Sequence, residues 1–248
     1  MSNNGLDNYL NAVLNLFGRQ IKKTPKKYSE RLNESLINDL LDLDGPRKIQ
    51  RHFTKEDMFV SKLFFGIQEI YDSIERLKTY EIYTGRYPYS NTTISKSQHL
   101  RTNIENYLGE FYLLKERVNS YLTTIGRLYR KDPRHKKILG FTRPLFKIIP
   151  SVFDSFLKAR GIHVHQRRYT DKDIDRLNLL EFYDSHASDI LPYVDILYEN
   201  HYKETRKKWK NLVKTTNGQI KVALDLCFEN IHPLIFTKNG NARYPRQK

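Results

Sequence analysis

The chain has 248 residues, with 43 Lys and Arg against 28 Asp and Glu, a formal charge of +15 and a pI near 9.7. With 17 Tyr, 13 Phe and 39% hydrophobic residues it can close a real core, which excludes a disordered basic polypeptide. No stretch approaches the ~18 uncharged apolar residues that a bilayer-spanning helix needs. The N-terminus lacks a basic segment followed by an apolar one, and mean hydropathy is −0.68, so a cytoplasmic protein with no membrane partner is expected.

Only 11 Gly and 9 Pro punctuate the chain, and they fall between long segments whose apolar residues recur at three and four. That period predicts an all-α fold, an elongated helical bundle of about seven or eight helices. An N-terminal pair comes first. Leu6, Leu10, Val13 and Phe17 form one stripe, and Leu32, Leu36, Leu40 and Leu43 another, stopped by Asp44-Gly45-Pro46.

The next helix opens at Thr54, where Asp57 makes a near capping box, and carries Val60, Phe64, Ile67, Tyr71, Ile74 and Leu77 on one face until Gly85 and Pro88 end it. A longer helix is expected over about 97–129, with Leu100, Ile104, Leu108, Phe111, Leu114, Val118, Tyr121, Ile125 and Leu128 as its stripe. After the charged link from Arg130 to Lys137, a helix is expected from Thr142, bent at Pro150 and stopped at Gly161. Thr170 with Asp173 suggests a second capping box ahead of Ile174, Leu177, Leu180 and Tyr183.

A further helix covers about 189–214, and Asn217-Gly218 is expected to break the chain before an apolar segment over 220–236 that reads as helix or short strand. The tail from Lys238 to Lys248 reads as unpacked. Cys227, the single cysteine, excludes an intrachain disulfide and, between Leu226 and Phe228, reads as core. No repeat at a fixed period is present, which excludes a solenoid.

A net charge of +15 attracts polyanions, and nucleic acid gains most because neutralised phosphates release their counterions. RNA or another polyanion is therefore the expected partner. The basic clusters are Lys22 to Lys27; Arg130, Lys131, Arg134, Lys136 and Lys137; and Lys207 with Lys208 beside Trp209. Trp209 between cations could stack a base, but its helical spacing from Thr205 and Val213 favours packing.

The densest clustering of histidine and arginine is Gly161-Ile-His-Val-His-Gln-Arg-Arg-Tyr-Thr170. If 162–166 is extended, His163 and His165 project to one side, beside Arg160, Arg167 and Arg168, while Ile162 and Val164 anchor the other. Metal-independent cleavage of an RNA phosphodiester needs a base for the 2′-hydroxyl, an acid for the leaving oxygen and fixed positive charge for the phosphorane. Histidine exchanges protons near neutral pH and arginine grips phosphate oxygens in bidentate fashion, so the segment supplies all three.

At these residues the sequence resembles the HEPN superfamily, helical domains whose ribonuclease members carry an Arg four to six residues ahead of a His, here Arg160-x4-His165. Arg47-x4-His52 and Arg130-x4-His135 share the spacing but lie in charged connections. The resemblance implies a HEPN-like core over 91–236, preceded by an N-terminal helical extension over 1–90 and followed by a basic tail over 237–248. It implies a toxin-like endoribonuclease and a homodimer whose shared cleft is lined by Arg160 and His165, with His163 assisting, and an antitoxin-type protein partner. The family commonly has a polar residue directly after the arginine, where this chain has Gly161. Binding by Arg167, Arg168, Arg130, Lys131, Arg134, Lys136, Lys137, Lys207 and Lys208 completes the expected site, and the non-catalytic alternative is a basic nucleic-acid-binding or scaffold protein.

No cofactor is expected, since no Gly-rich phosphate loop or nucleophile elbow is present. No metal is expected either. His163-x-His165 has no third ligand, and Asp171-x-Asp173-x-Asp175 has Arg176 and Phe182 where a calcium loop needs Gly and Glu.

Overall fold

The computed structural model describes residues 4–23, 25, 54–89, 93–144, 171–186 and 191–246. The fold is all-α. The described residues form α1 (Gly5–Lys23), α2 (Lys55–Tyr83), α3 (Lys96–Leu128), α4 (135–144), α5 (Lys172–His186) and α6 (Val194–Ile235). Among them the one β pairing is an isolated antiparallel bridge between Phe236 and Ala242. Seven or eight helices are not seen there, and the stripe Leu32 to Leu43 lies outside the described residues. No helix among these residues is long and apolar enough to cross a membrane.

By contacts the chain falls into two compact units, one of Met1–Glu69, Asn119–Leu145 and Leu224–Lys248, the other of Ile70–Val118 and Phe146–Ala223.

The first unit is organised on Tyr9 of α1, which is fully buried. Its hydroxyl shares a hydrogen bond of 2.8 Å with that of Tyr121, and its ring meets Phe228 and Phe236 at 4.9 and 5.6 Å between centroids. Burial pushes both phenols well above their ordinary pKa, so both stay protonated and able to donate. Val13, Leu63, Ile67, Ile125 and Ile231 close around them, each burial contributing roughly 1.5–3 kcal/mol. Cys227 joins this core, its thiol pushed up to about 12 by burial. Gly5 permits the approach of α1, since a Cβ there would stand 2.1 Å from the Asp225 carbonyl oxygen, and the Leu6 N–H is capped by Asp225 Oδ1 at 3.0 Å.

The α1 stripe is rotated from its expected position. Leu6 and Val13 are buried as expected, but Tyr9, Leu16 and Gln20 complete the inner face, while Leu10 and Phe17 are half-buried. Phe17 instead stacks on Phe64 at 4.0 Å, a satellite contact that apolar counting cannot distinguish from core.

The capping box at the start of α2 forms as predicted. The Thr54 N–H donates to Asp57 Oδ2 at 2.8 Å and the Asp57 N–H to Thr54 Oγ1 at 3.1 Å. In α4 the helix begins seven residues ahead of the expected Thr142. Asp132 Oδ1 accepts the Arg134 N–H at 2.9 Å, which turns the chain, and Ile138 and Thr142 give the buried face.

The second unit is built on the α3 stripe, whose members from Leu100 to Val118 are buried as predicted, together with Ile70, Ile74, Leu77 and Trp209. Tyr71, expected on the inner face of α2, is exposed. The cap of α5 is Asp171, whose Oδ1 accepts the N–H groups of Asp173 and Ile174 at 2.9 and 3.1 Å; Thr170, the expected cap, lies outside the described residues.

Asn217-Gly218 does not break the chain, and α6 runs through it for 42 residues. Asn217 donates through Nδ2 to the Leu77 carbonyl at 3.1 Å and to Glu81 Oε1 at 2.9 Å, while its Oδ1 accepts from the Tyr107 hydroxyl at 3.2 Å. With its amide engaged by neighbouring helices, Asn217 no longer competes for its own backbone.

Candidate nucleic-acid interface

The functional candidate in the described structure is a groove of about 660 Å³ in the first unit. Three pieces of chain build it. The first two turns of α2 supply Lys55, Glu56, Met58, Phe59 and Lys62; the end of α3 and the turn after it supply Arg127, Leu128, Arg130 and Lys131; the C-terminal segment supplies Tyr244, Pro245 and Arg246. Among the described residues, six cations line it with one acid, Glu56. Asp57, next along α2, is buried and accepts a hydrogen bond from Gln20 Nε2 at 2.5 Å.

Local rules explain why the cations are there. Arg127, Arg130 and Lys131 stand at the carboxyl end of α3, where the helix dipole favours positive charge. The amino end of α2 also faces the groove and favours anions. Lys62, Arg127, Arg130 and Lys131 are exposed, and none forms an ion pair among the described residues. Clustered like charge beside low-dielectric walls raises the local concentration of an anionic ligand.

The wall carrying Tyr244 is held by one buried acid and one arginine. Asp132, whose side chain is 1% exposed, pairs with Arg134 through two contacts of 2.7 Å. Arg134 then donates to the carbonyls of Arg243 at 3.0 Å and Tyr244 at 2.9 Å, and its guanidinium lies 4.9 Å from the Tyr129 ring centroid. The Tyr129 hydroxyl donates to the Arg243 carbonyl at 2.8 Å, and the Arg246 N–H to Asp132 Oδ2 at 2.9 Å. Arg19 fastens the turn before them, donating to Asn241 Oδ1 and the Gly240 carbonyl.

The C-terminal segment is therefore packed, against the expectation of a loose tail, because its carbonyls meet donors already fixed in the core. The Arg134 guanidinium, with hydrogen bonds opposing its loss, holds the Asp132 carboxyl well below the usual carboxylate range. Tyr244 is raised by burial.

Of the residues expected to bind nucleic acid, the structure brings Arg130 and Lys131 into the groove. Arg134 is engaged internally. Lys136 and Lys137 are exposed on α4 but do not line the groove. Lys207 is exposed on α6, and Lys208 pairs with Asp173, which lowers the Asp173 carboxyl and raises the Lys208 amine. Arg160, His163, His165, Arg167 and Arg168 lie outside the described residues. Trp209 is buried.

Sequence reasoning missed Lys55, Lys62, Arg127, Tyr244 and Arg246, which are far apart along the chain. One signal was present: Asp132 is the only acid in the run from Arg130 to Lys137, and a lone acid among cations marks an internal partner. Among the described residues no group of three His, Cys, Asp or Glu side chains stands where it could hold a metal ion. Comparison with protein-family models, with curated proteins and with solved structures finds no match for this chain.

Proposed function

We propose that the protein binds RNA through the basic groove of its first unit, with phosphates held by Lys62, Arg127, Arg130, Lys131 and Arg246. The observation that carries this reading is the concentration, among the described residues, of six cations and one acid around one concave site. Four of those cations have no ion pair among the described residues, so binding need not first break a pair. Phosphate contacts of this kind give affinity through counterion release, with log K falling by about 0.7 per log unit of salt for each phosphate of a single strand.

The ribonuclease reading rests on Arg160 and His165, with His163 assisting, and on the resemblance stated for them. It would add cleavage by a homodimer, with an antitoxin-type partner, to the binding proposed here.

One experiment addresses both. Purified protein is incubated with RNA in EDTA, and binding is followed across a salt series. Salt-sensitive retention that is lost in Lys62→Glu and Arg130→Glu supports groove binding. Fragments ending in 2′,3′-cyclic phosphate, lost in Arg160→Ala and His165→Ala, support cleavage, and light scattering reports the dimer. RNA affinity indifferent to both charge reversals removes the groove as the binding surface.

A further inference from the structure

Resting on the RNA-binding reading, we propose that the groove accepts an unpaired segment of the strand, with one base laid on the ring of Tyr244 and the flanking phosphates on the surrounding cations. A surface that only gripped a phosphate backbone would need no aromatic residue in its wall. Here Tyr244 lines the groove, half-buried, and its ring packs at a tilt of 56° against that of buried Phe59, with centroids 5.3 Å apart. Met58, exposed on the adjacent position of α2, adds apolar surface to the same groove. Cations around an aromatic platform are the arrangement that binds single strands with little sequence preference, since every base has a π-face.

Size and rigidity point the same way. A concavity of about 660 Å³ falls in the ~300–1,000 Å³ range that encloses a compact ligand, which suits a nucleotide or two and not the broad face of a helix. In a duplex the base faces are stacked on one another and cannot reach Tyr244, whereas unpaired bases can be splayed onto a side chain. The platform is also fixed in advance. The chain from Arg243 to Arg246 is held by Tyr129, Arg134 and Asp132, so little ordering remains to be done when a base arrives.

The test compares three probes by fluorescence anisotropy at equal salt: a short unstructured RNA, the same strand annealed to its complement, and inorganic polyphosphate. The expected result is that the single strand binds about tenfold more tightly than the duplex. Tyr244→Leu, which keeps apolar packing on Phe59 but has no π-face, weakens the single strand by about tenfold. It leaves duplex and polyphosphate binding unchanged, and Tyr244→Phe binds as the unaltered protein does.

Equal affinity for strand and duplex overturns the proposal, as does a Tyr244→Leu protein that loses nothing or a Tyr244→Phe protein that loses as much as Tyr244→Leu. In those cases polyphosphate and duplex binding lost on Lys62→Glu would leave the groove intact as a polyanion site. No binding of any probe by the unaltered protein sinks both readings together.

Discussion

Cations in the two units keep different company. In the second unit several of them meet acids: Lys96 with Glu199, Arg101 with Asp175 at 2.7 Å, Lys208 with Asp173, and Arg117 and Arg76 with Glu110 at 2.9 and 3.6 Å. In the first unit Arg134 pairs with Asp132, and that pair holds a loop in place, while Lys62, Arg127, Arg130 and Lys131 form no ion pair among the described residues. The excess of positive charge is a property of the whole chain, but its availability is not evenly shared. Charge that already has a partner offers a polyanion less than charge that has none, because the existing pair must first be given up.

The largest test of that contrast is a pair of double reversals. Lys62→Glu with Arg130→Glu is expected to weaken RNA binding by about a hundredfold and to flatten its salt dependence. Lys207→Glu with Lys208→Glu, on the second unit, is expected to change affinity by less than about threefold under the same titration. Similar losses from both pairs would erase the distinction between the units.

Next in size is Asp132→Asn. Removing the charge that compensates Arg134 costs about 2–3 kcal/mol, read as a fall in thermal midpoint of roughly 4–10 °C. RNA binding should weaken with it, since Tyr244 and Arg246 lose their anchor. The same carboxyl sets an acid limit. Its folded pKa is depressed, so its contribution is complete above the unfolded value of about 3.9 and is lost as pH falls through the lower folded value. Urea midpoints of the unaltered protein measured downward from neutral pH should therefore drop steeply below about pH 4, and the Asp132→Asn protein should show a shallower slope there.

Glu110→Gln, in the second unit, is expected to cost about 1 kcal/mol in urea denaturation, because Glu110 is nearly buried but its arginine partners reach solvent. RNA affinity should not move. The smallest expected effect is at Cys227. A thiol this buried and with its pKa raised should stay unreactive to a disulfide reagent at pH 8 in the folded protein and react fully in denaturant. Rapid labelling of the folded protein would show that the first core opens more readily than its packing implies.

Particular helices show where sequence pattern suffices and where it does not. The stripe of α3 was legible from Leu100 to Ile125, since a helix packed along most of its length must repeat apolar positions at its own period. The box at Thr54 and Asp57 was legible because both partners lie within one turn. The face of α1 was displaced because Tyr9 owes its burial to a distant hydroxyl, that of Tyr121, and Phe17 finds a partner in Phe64 outside the core. The continuity of α6 through Asn217-Gly218 depends on Leu77, Glu81 and Tyr107, none of them near in sequence. At the groove, Arg130 and Lys131 stood out as a basic run, while Lys62, Tyr244 and Arg246 carried no local mark.

By itself the sequence determined the helical class, most of the α3 face, the surplus of positive charge and the burial of Cys227. These depend on composition and on contacts between residues a few positions apart. Only the tertiary structure decided which cations stand together around one acid and that the C-terminal segment is fastened. It also decided that Arg134 serves the fold while Arg130 faces the groove. Those outcomes turn on hydrogen bonds and charges that meet across roughly 70 to more than 100 residues, and a one-dimensional pattern carries no record of such encounters.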